Sequence, residues 1–165
     1  METFSLKNRR VLLALTVLLL AGVAVDGDAQ QSYGAPPARP PISTGILETV
    51  KPDSRLEVFY LGTPDCPYCH QWESKARGEL VAWAAEKGIY YVEIRGETLR
   101  QPISERHYPP QHQKVYQQVG PSRGVPRFLL AVDGTVRLNT VGTNRYAEIF
   151  LPILKQVAER RANRS

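Results

Sequence analysis

Cysteine is scarce in this chain: two residues in 165, at positions 66 and 69. Two thiols cannot build the dense disulfide scaffold of a small secreted domain. Nor can they alone fill a four-ligand structural zinc site. Whatever they do, they do as a pair. Methionine is scarcer still, with Met1 alone, so a chain trimmed at its N-terminus has no thioether to offer a haem iron. Runs of like charge are missing as well. The 21 Lys and Arg and 16 Asp and Glu are scattered, with no five of one sign together. The net charge of +5 is therefore not the footprint of a nucleic-acid binder. No internal repeat is visible. What remains is an ordinary globular composition, 42% hydrophobic and 22% charged, at a length that suits one domain.

The N-terminus has a pattern of its own. Lys7, Arg9 and Arg10 precede 15 uncharged residues from Val11 to Val25, and the small residues Gly27 and Ala29 follow. Basic, apolar and small segments in that order form a secretory signal. Residues 1–29 are thus expected to be a signal peptide that sends the chain to the periplasm. The apolar run is shorter than the roughly 20 residues a membrane span needs. Left uncleaved, it would instead anchor the chain in the inner membrane. Residues 30–45 open with QQSYGAPPARPP, whose prolines at 36, 37, 40 and 41 read as a semi-rigid linker. The folded domain is expected over 46–165.

Within it, Leu56 to Leu61 (LEVFYL) reads as a buried strand between turn signals. From Cys66 the pattern turns helical. Trp72, Ala76, Leu80, Trp83 and Ala84 recur at spacings of three and four, and Gly88 stops the run. Both tryptophans read as core. Ile89 to Ile94 is a second strand, so strand, helix and strand form a βαβ unit with a parallel pair. Residues 95–110 read as a loop and Gln111 to Val119 as a short helix. Arg127 to Val132 and Thr135 to Val141 flank Asp133-Gly134, a strong hairpin signal. A last helix is expected to be capped by Asn144, to bury Tyr146, Phe150, Ile153, Leu154 and Val157, and to kink at Pro152.

The chemistry lies at Cys66-Pro67-Tyr68-Cys69, where the first strand hands over to the helix. Outward-pointing N–H groups and the positive end of the macrodipole favour a thiolate there. Cys66 is expected to be the exposed nucleophile. Cys69, one turn further in, is placed to resolve a mixed disulfide. Pro67 sits where a missing N–H costs nothing, and Tyr68 helps set the redox poise.

LEVFYLGTPDCPYC followed by an amphipathic helix resembles the active-site segment of the thioredoxin superfamily. Cys-Pro-Tyr-Cys is the core associated with glutaredoxins and some periplasmic disulfide exchange proteins. Gly124-Val125-Pro126, just before the hairpin, matches the family's second mark. The resemblance implies a cis-proline at Pro126 that faces the cysteine pair and helps bind the substrate backbone, with Val125 before it also contacting the substrate. It covers roughly residues 54–160 and implies an α/β thioredoxin-like fold, a central mixed sheet flanked by helices. Two departures stand out. Thioredoxins carry a buried acid six residues before the first cysteine, where this chain has Tyr60. Arg127 follows the proline where the family more often has a small or apolar residue. Arg127 could depress the Cys66 pKa or select acidic substrates, or it could be a solvated strand residue. Asp65 could disfavour the Cys66 thiolate or cap the helix.

Two rival chemistries use the same residues. Cys66 to His70 spells CPYCH, the C-x-x-C-H of c-type haem attachment, with His107 or His112 as a second axial ligand. The other reading of His70 is a first-turn residue that tunes the thiols. Zinc could take Cys66, Cys69, His107 and His112, but 37 residues separate the two pairs, against about 12–15 in the finger pattern. Both of those histidines read as surface loop residues. The reading that best unites the observations is an exported thiol–disulfide oxidoreductase, an enzyme needing no metal or organic cofactor because the disulfide carries the two electrons. Its partners would be cysteine-containing periplasmic proteins and a membrane redox protein. A non-catalytic thioredoxin-like adaptor is a further alternative.

Overall fold

The computed structural model describes residues 42–163. The predicted signal peptide and most of the linker lie outside the described residues. The chain runs α1 (Ile42–Thr49), β1 (Leu56–Gly62), α2 (Pro67–Trp72), a π turn (Glu73–Arg77), α3 (Gly78–Glu86) and β2 (Tyr90–Arg95). Two single-turn 3-10 helices (Glu105–His107 and Pro110–His112) lead into α4 (Gln113–Val119). Next come β3 (Arg127–Val132), β4 (Thr135–Val141), α5 (Thr143–Arg145), a second π turn (Tyr146–Phe150) and α6 (Leu151–Ala162).

The four strands lie in the order β2-β1-β3-β4. β1 pairs parallel with β2, as a βαβ unit requires, and antiparallel with β3. Every residue of β1 is buried, because this strand has a neighbour on each side and a layer on each face. Leu56, Val58 and Tyr60 face the core formed with α1, α2, α3 and α6. Phe59 and Leu61 face a second core with Ile103, Tyr108 and Val115. The hairpin turns at Asp133 (φ 52°) and Gly134 (φ 75°). Paired positive φ values are what a tight two-residue turn demands, and Asp and Gly tolerate them. The Asp133 carboxylate also accepts the Arg55 N–H (2.8 Å) and the Ser54 hydroxyl (2.9 Å), fixing the start of β1.

Several expectations need correction. The helix α1 stands where no helix was expected. Asn144 does not cap the last helical segment: Gly142 does, at φ 94° and with no side-chain cap, and Asn144 lies inside the first turn. Pro152 does not interrupt a regular helix, since the π turn before it resets the register and leaves it in the first turn of α6, where the absent N–H has no partner to lose. Trp72 is core, whereas Trp83 is only half-buried. His112 is buried rather than on the surface. Its ring packs edge-on to Phe59 at 5.0 Å, with Nδ1 3.8 Å from Glu57 Oε1. His107 is also tucked in: Nδ1 accepts the Ser104 N–H at 2.9 Å and Nε2 lies 2.7 Å from the Glu97 carboxylate. Neither histidine joins the cysteines.

Candidate active site

The local sequence creates the site at the head of α2. Thr63-Pro64 ends the strand, and Pro67 starts the helix at a position that needs no donor. Cys66 itself is the N-cap, in extended conformation, and its Sγ accepts the Cys69 backbone N–H at 3.1 Å. The two sulfurs are joined in a disulfide, with Cα atoms 5.2 Å apart. Contrary to expectation, Cys66 is not exposed. It is 1% accessible and Cys69 0%, because both pack into the core layer with Tyr60, Trp72 and Phe128. Accessibility therefore hardly separates them. Hydrogen bonding does: only Cys66 occupies the cap, where a thiolate would take the place of an ordinary capping oxygen.

The Val125–Pro126 peptide is cis, as the resemblance implies. Pro126 is buried and Val125 half-buried. The Pro126 carbonyl accepts the Gly142 N–H at 2.8 Å, which ties this turn to the end of the hairpin. Tyr68, Val125, Pro126, Val141, Gly142 and Arg145 line one open cavity of about 380 Å³. Tyr68 thus connects the cysteine motif to the proline turn.

The remaining predicted residues divide. His70 stands exposed beside the motif, with Nε2 2.7 Å from the Pro64 carbonyl and Nδ1 3.8 Å from the Glu73 carboxylate. Asp65 is not the helix cap. Its carboxylate accepts the Thr98 hydroxyl (2.6 Å) and the Leu99 N–H (2.8 Å), and the hydrogen bond from Thr98 is the main reason its pKa lies below the ordinary value. Arg127 does not reach the cysteines. Its neighbour Phe128 points into the cysteine-side core, so strand alternation sends Arg127 to the other face. There it bonds Ser122 Oγ at 2.5 Å and Asn139 Oδ1 at 2.8 Å.

One residue near the motif, Glu73, escaped the sequence reading. Tyr60, at the position of the family's buried acid, donates its hydroxyl to Glu73 Oε1 at 2.5 Å. Glu73 begins the π turn, and Arg95 Nη1 bonds the same oxygen at 2.6 Å. An acid therefore stands four residues after Cys69, at the start of the π turn that follows α2, bound to Tyr60 and Arg95. That spacing, together with a basic residue ending the parallel strand, is the signal that could have disclosed it. Burial first, then the contact with Glu73, pushes the Tyr60 pKa far up, so the phenol remains a donor. Burial acts to raise the Glu73 pKa, but the hydrogen bonds from Tyr60 and Arg95 outweigh it and hold the carboxylate below its usual range. Gly62 makes room for this contact: a Cβ there would lie 2.5 Å from the Tyr60 hydroxyl oxygen.

Tyr60→Phe should cost about 1.5–3 kcal/mol at neutral pH, the range for a hydrogen bond to a charged group. Glu73 has a depressed folded pKa, so its contribution is present above the unfolded carboxylate value and disappears as pH falls through the folded one. The stability gap between wild type and Tyr60→Phe should therefore narrow in acid. Urea denaturation of both proteins across the carboxylate range checks this, and a gap that widens in acid would contradict it.

No family model matches the chain, and no curated protein matches it. Among solved structures it is similar to the periplasmic thioredoxin SoxS from Paracoccus pantotrophus in its reduced form. That likeness is at 17% identity and a TM-score of 0.44, covering 64% of this chain and 98% of that one. It is also similar to Chlamydomonas reinhardtii thioredoxin f2, at 18% identity and a TM-score of 0.40, covering 68% of this chain and 88% of that one. The strand order, the CxxC pair at the head of the helix after β1 and the cis-proline before β3 are the features of a thioredoxin-like fold. Among the described residues no helix is long and apolar enough to cross a membrane, and no three His, Cys, Asp or Glu side chains cluster to hold a metal ion.

Proposed function

We propose that the protein is an exported thiol–disulfide oxidoreductase that exchanges electrons with cysteines of partner proteins through Cys66 and Cys69. The observation that carries this reading is the pair's placement. The disulfide closes the N-cap turn of α2, and Tyr68 within the motif shares a cavity with the cis Val125–Pro126 turn. A partner thiolate attacks Cys66 Sγ, the Cys66–Cys69 bond breaks, and Cys69 leaves as a thiolate that takes up a proton. A second partner thiolate then attacks the partner sulfur of the mixed disulfide. The partner leaves oxidised, and Cys66 departs as a thiolate steadied by the Cys69 N–H. Run backwards, the same steps reduce a partner disulfide.

Export rests on the basic, apolar and small-residue order of residues 1–29. It would place the partners among cysteine-containing periplasmic proteins, with a membrane redox protein restoring the pair. The test is an equilibrium titration of the full chain against dithiol–disulfide buffers, read by thiol alkylation and mass. A reversible two-electron transition between about −270 and −120 mV, the span of thioredoxin-like exchangers, is expected. A pair that cannot be cycled without unfolding the chain would overturn the reading. A covalent haem on protein from an export-competent host would do so too.

A further inference from the structure

Several arginines of this fold meet an acid. Arg55, Arg77, Arg95 and Arg106 each lie within ion-pair distance of a glutamate. Arg127, at the start of β3, does not. It is half-buried, and its guanidinium holds two neutral oxygens, Ser122 Oγ at 2.5 Å and Asn139 Oδ1 at 2.8 Å. Among the described residues no carboxylate pairs with it. A charge drawn part-way out of water is costly unless it is paired, and burial does lower the Arg127 pKa.

The groups around this guanidinium lack the same thing. Ser122 is 1% accessible and is fixed by reciprocal backbone bonds with Ile103, at 2.8 and 2.9 Å. Its Oγ accepts from Arg127, which leaves the hydroxyl proton without an acceptor. Tyr108 packs in one core cluster with Ile103 and with Leu61, the residue opposite Arg127 in the sheet. It is 3% accessible, and its hydroxyl has no hydrogen-bond partner. Burial pushes the Tyr108 pKa up to about 12, and the one influence opposing that rise is the charge of Arg127. The phenol therefore keeps its proton at neutral pH. A cation and two buried hydroxyl protons stand together, and no negative charge answers them.

We infer that Arg127, Ser122 and Tyr108 form a binding site for a carboxylate, on the sheet face opposite the disulfide. Asn139 holds Nε and Ser122 holds Nη1, so Nη2 is the nitrogen left to meet a ligand. Guanidinium N–H groups match the plane of a carboxylate, and such charge-assisted bonds are the strong ones. One guanidinium offsets one negative charge, which suits a carboxylate better than a doubly charged phosphate. The two hydroxyls then donate to the carboxylate oxygens. A small free acid and the C-terminus of a peptide present the same group. Binding here involves neither cysteine and stands independently of thiol exchange.

Thermal unfolding of the full chain in sodium acetate, against sodium chloride at equal ionic strength and neutral pH, tests the site with no redox step. A ligand held by the native state alone raises the midpoint as its concentration passes Kd. Wild type should melt about 5 °C higher in about 0.1 M acetate than in chloride. Arg127→Gln should abolish that rise. Tyr108→Phe removes an oxygen with no partner, so its midpoint in chloride should equal or exceed that of wild type. It should nevertheless need about tenfold more acetate for the same rise. Should Arg127→Gln fail to fold, Tyr108→Phe decides alone. No rise in wild type, or a rise that the variants keep in full, overturns the site. A larger rise in phosphate, lost in both variants, overturns the assignment to a carboxylate. A cysteine-free peptide with a free C-terminus, compared with its amide, separates the two sources. Activity of the free peptide alone, at lower concentration than acetate, supports the site with a chain end as ligand. A free peptide no better than acetate supports it with a small acid.

Discussion

Cys69→Ser should accumulate a covalent adduct with partner cysteines and fail to release it, whereas Cys66→Ser should form no adduct. The asymmetry follows from the turn that contains both residues. The group that steadies a Cys66 thiolate is the Cys69 backbone N–H, 3.1 Å from Sγ, and a serine at 69 keeps it. Attack by the Cys66 thiolate on a partner disulfide therefore survives, while the intramolecular thiol that would break the resulting mixed disulfide is gone. Intramolecular attack benefits from effective molarities far above any bulk thiol concentration. Multiple turnover should accordingly fall on the order of a hundredfold or more. In Cys66→Ser the remaining thiol is completely buried and has no cap interaction. Non-reducing gels and intact mass after mixing with a disulfide-bonded partner read both outcomes: the variant thiolate attacks the partner disulfide, and one partner sulfur leaves as a thiolate. Adducts on Cys66→Ser and none on Cys69→Ser would reverse the two roles.

Phe128→Ala should be the most damaging of the core substitutions, at about 3–5 kcal/mol. Phe128 is fully buried at the first inward position after Pro126. Its ring lies 4.9 Å from Trp72, 4.6 Å from Tyr146, 5.6 Å from Phe150 and 5.7 Å from Tyr60. Four aromatic partners from three separate helical or strand elements cannot close together over the missing ring, so a cavity persists. The same ring backs the helix that carries Cys69. Equilibrium denaturation should show the loss, with weakened packing of Trp72 visible in its near-ultraviolet signal. A cost below about 1 kcal/mol would mean that the layer can collapse.

Local signals made much of this legible in the sequence. Asp133-Gly134 defined a hairpin whose strand limits agree with β3 and β4. The strand–helix–strand rhythm gave the parallel pair, and the cysteine spacing with Val125-Pro126 pointed to the candidate site. What stayed hidden depends on contacts distant in sequence. Arg127 looked close to the cysteines by chain position, but the alternation of β3 sends it through to the opposite face. Asp65 read either as a cap or as a charge against the Cys66 thiolate, and the segment around Thr98 and Leu99 claims its carboxylate instead of the helix start. Cys66 looked exposed because a helix start usually is, and only the aromatic layer over the cap buries it. Glu73 drew no reading, since nothing local announces that Tyr60 will meet it. The π turns escaped for another reason: a period of 3.6 has no notation for one extra residue.

The two cysteines close a single helical turn and leave no other disulfide to brace the described domain. Oxidation state and unfolding therefore form one thermodynamic cycle. The pair is held at the N-cap of α2 in the native chain and is merely a short cross-link in the unfolded one. Any advantage the N-cap gives the native thiolate over the native disulfide must reappear as a difference between the two denaturation midpoints. About 30 mV in the native potential corresponds to about 1.4 kcal/mol of that difference. The denaturant needed to unfold each form should thus reveal, with no partner present, which form the fold prefers.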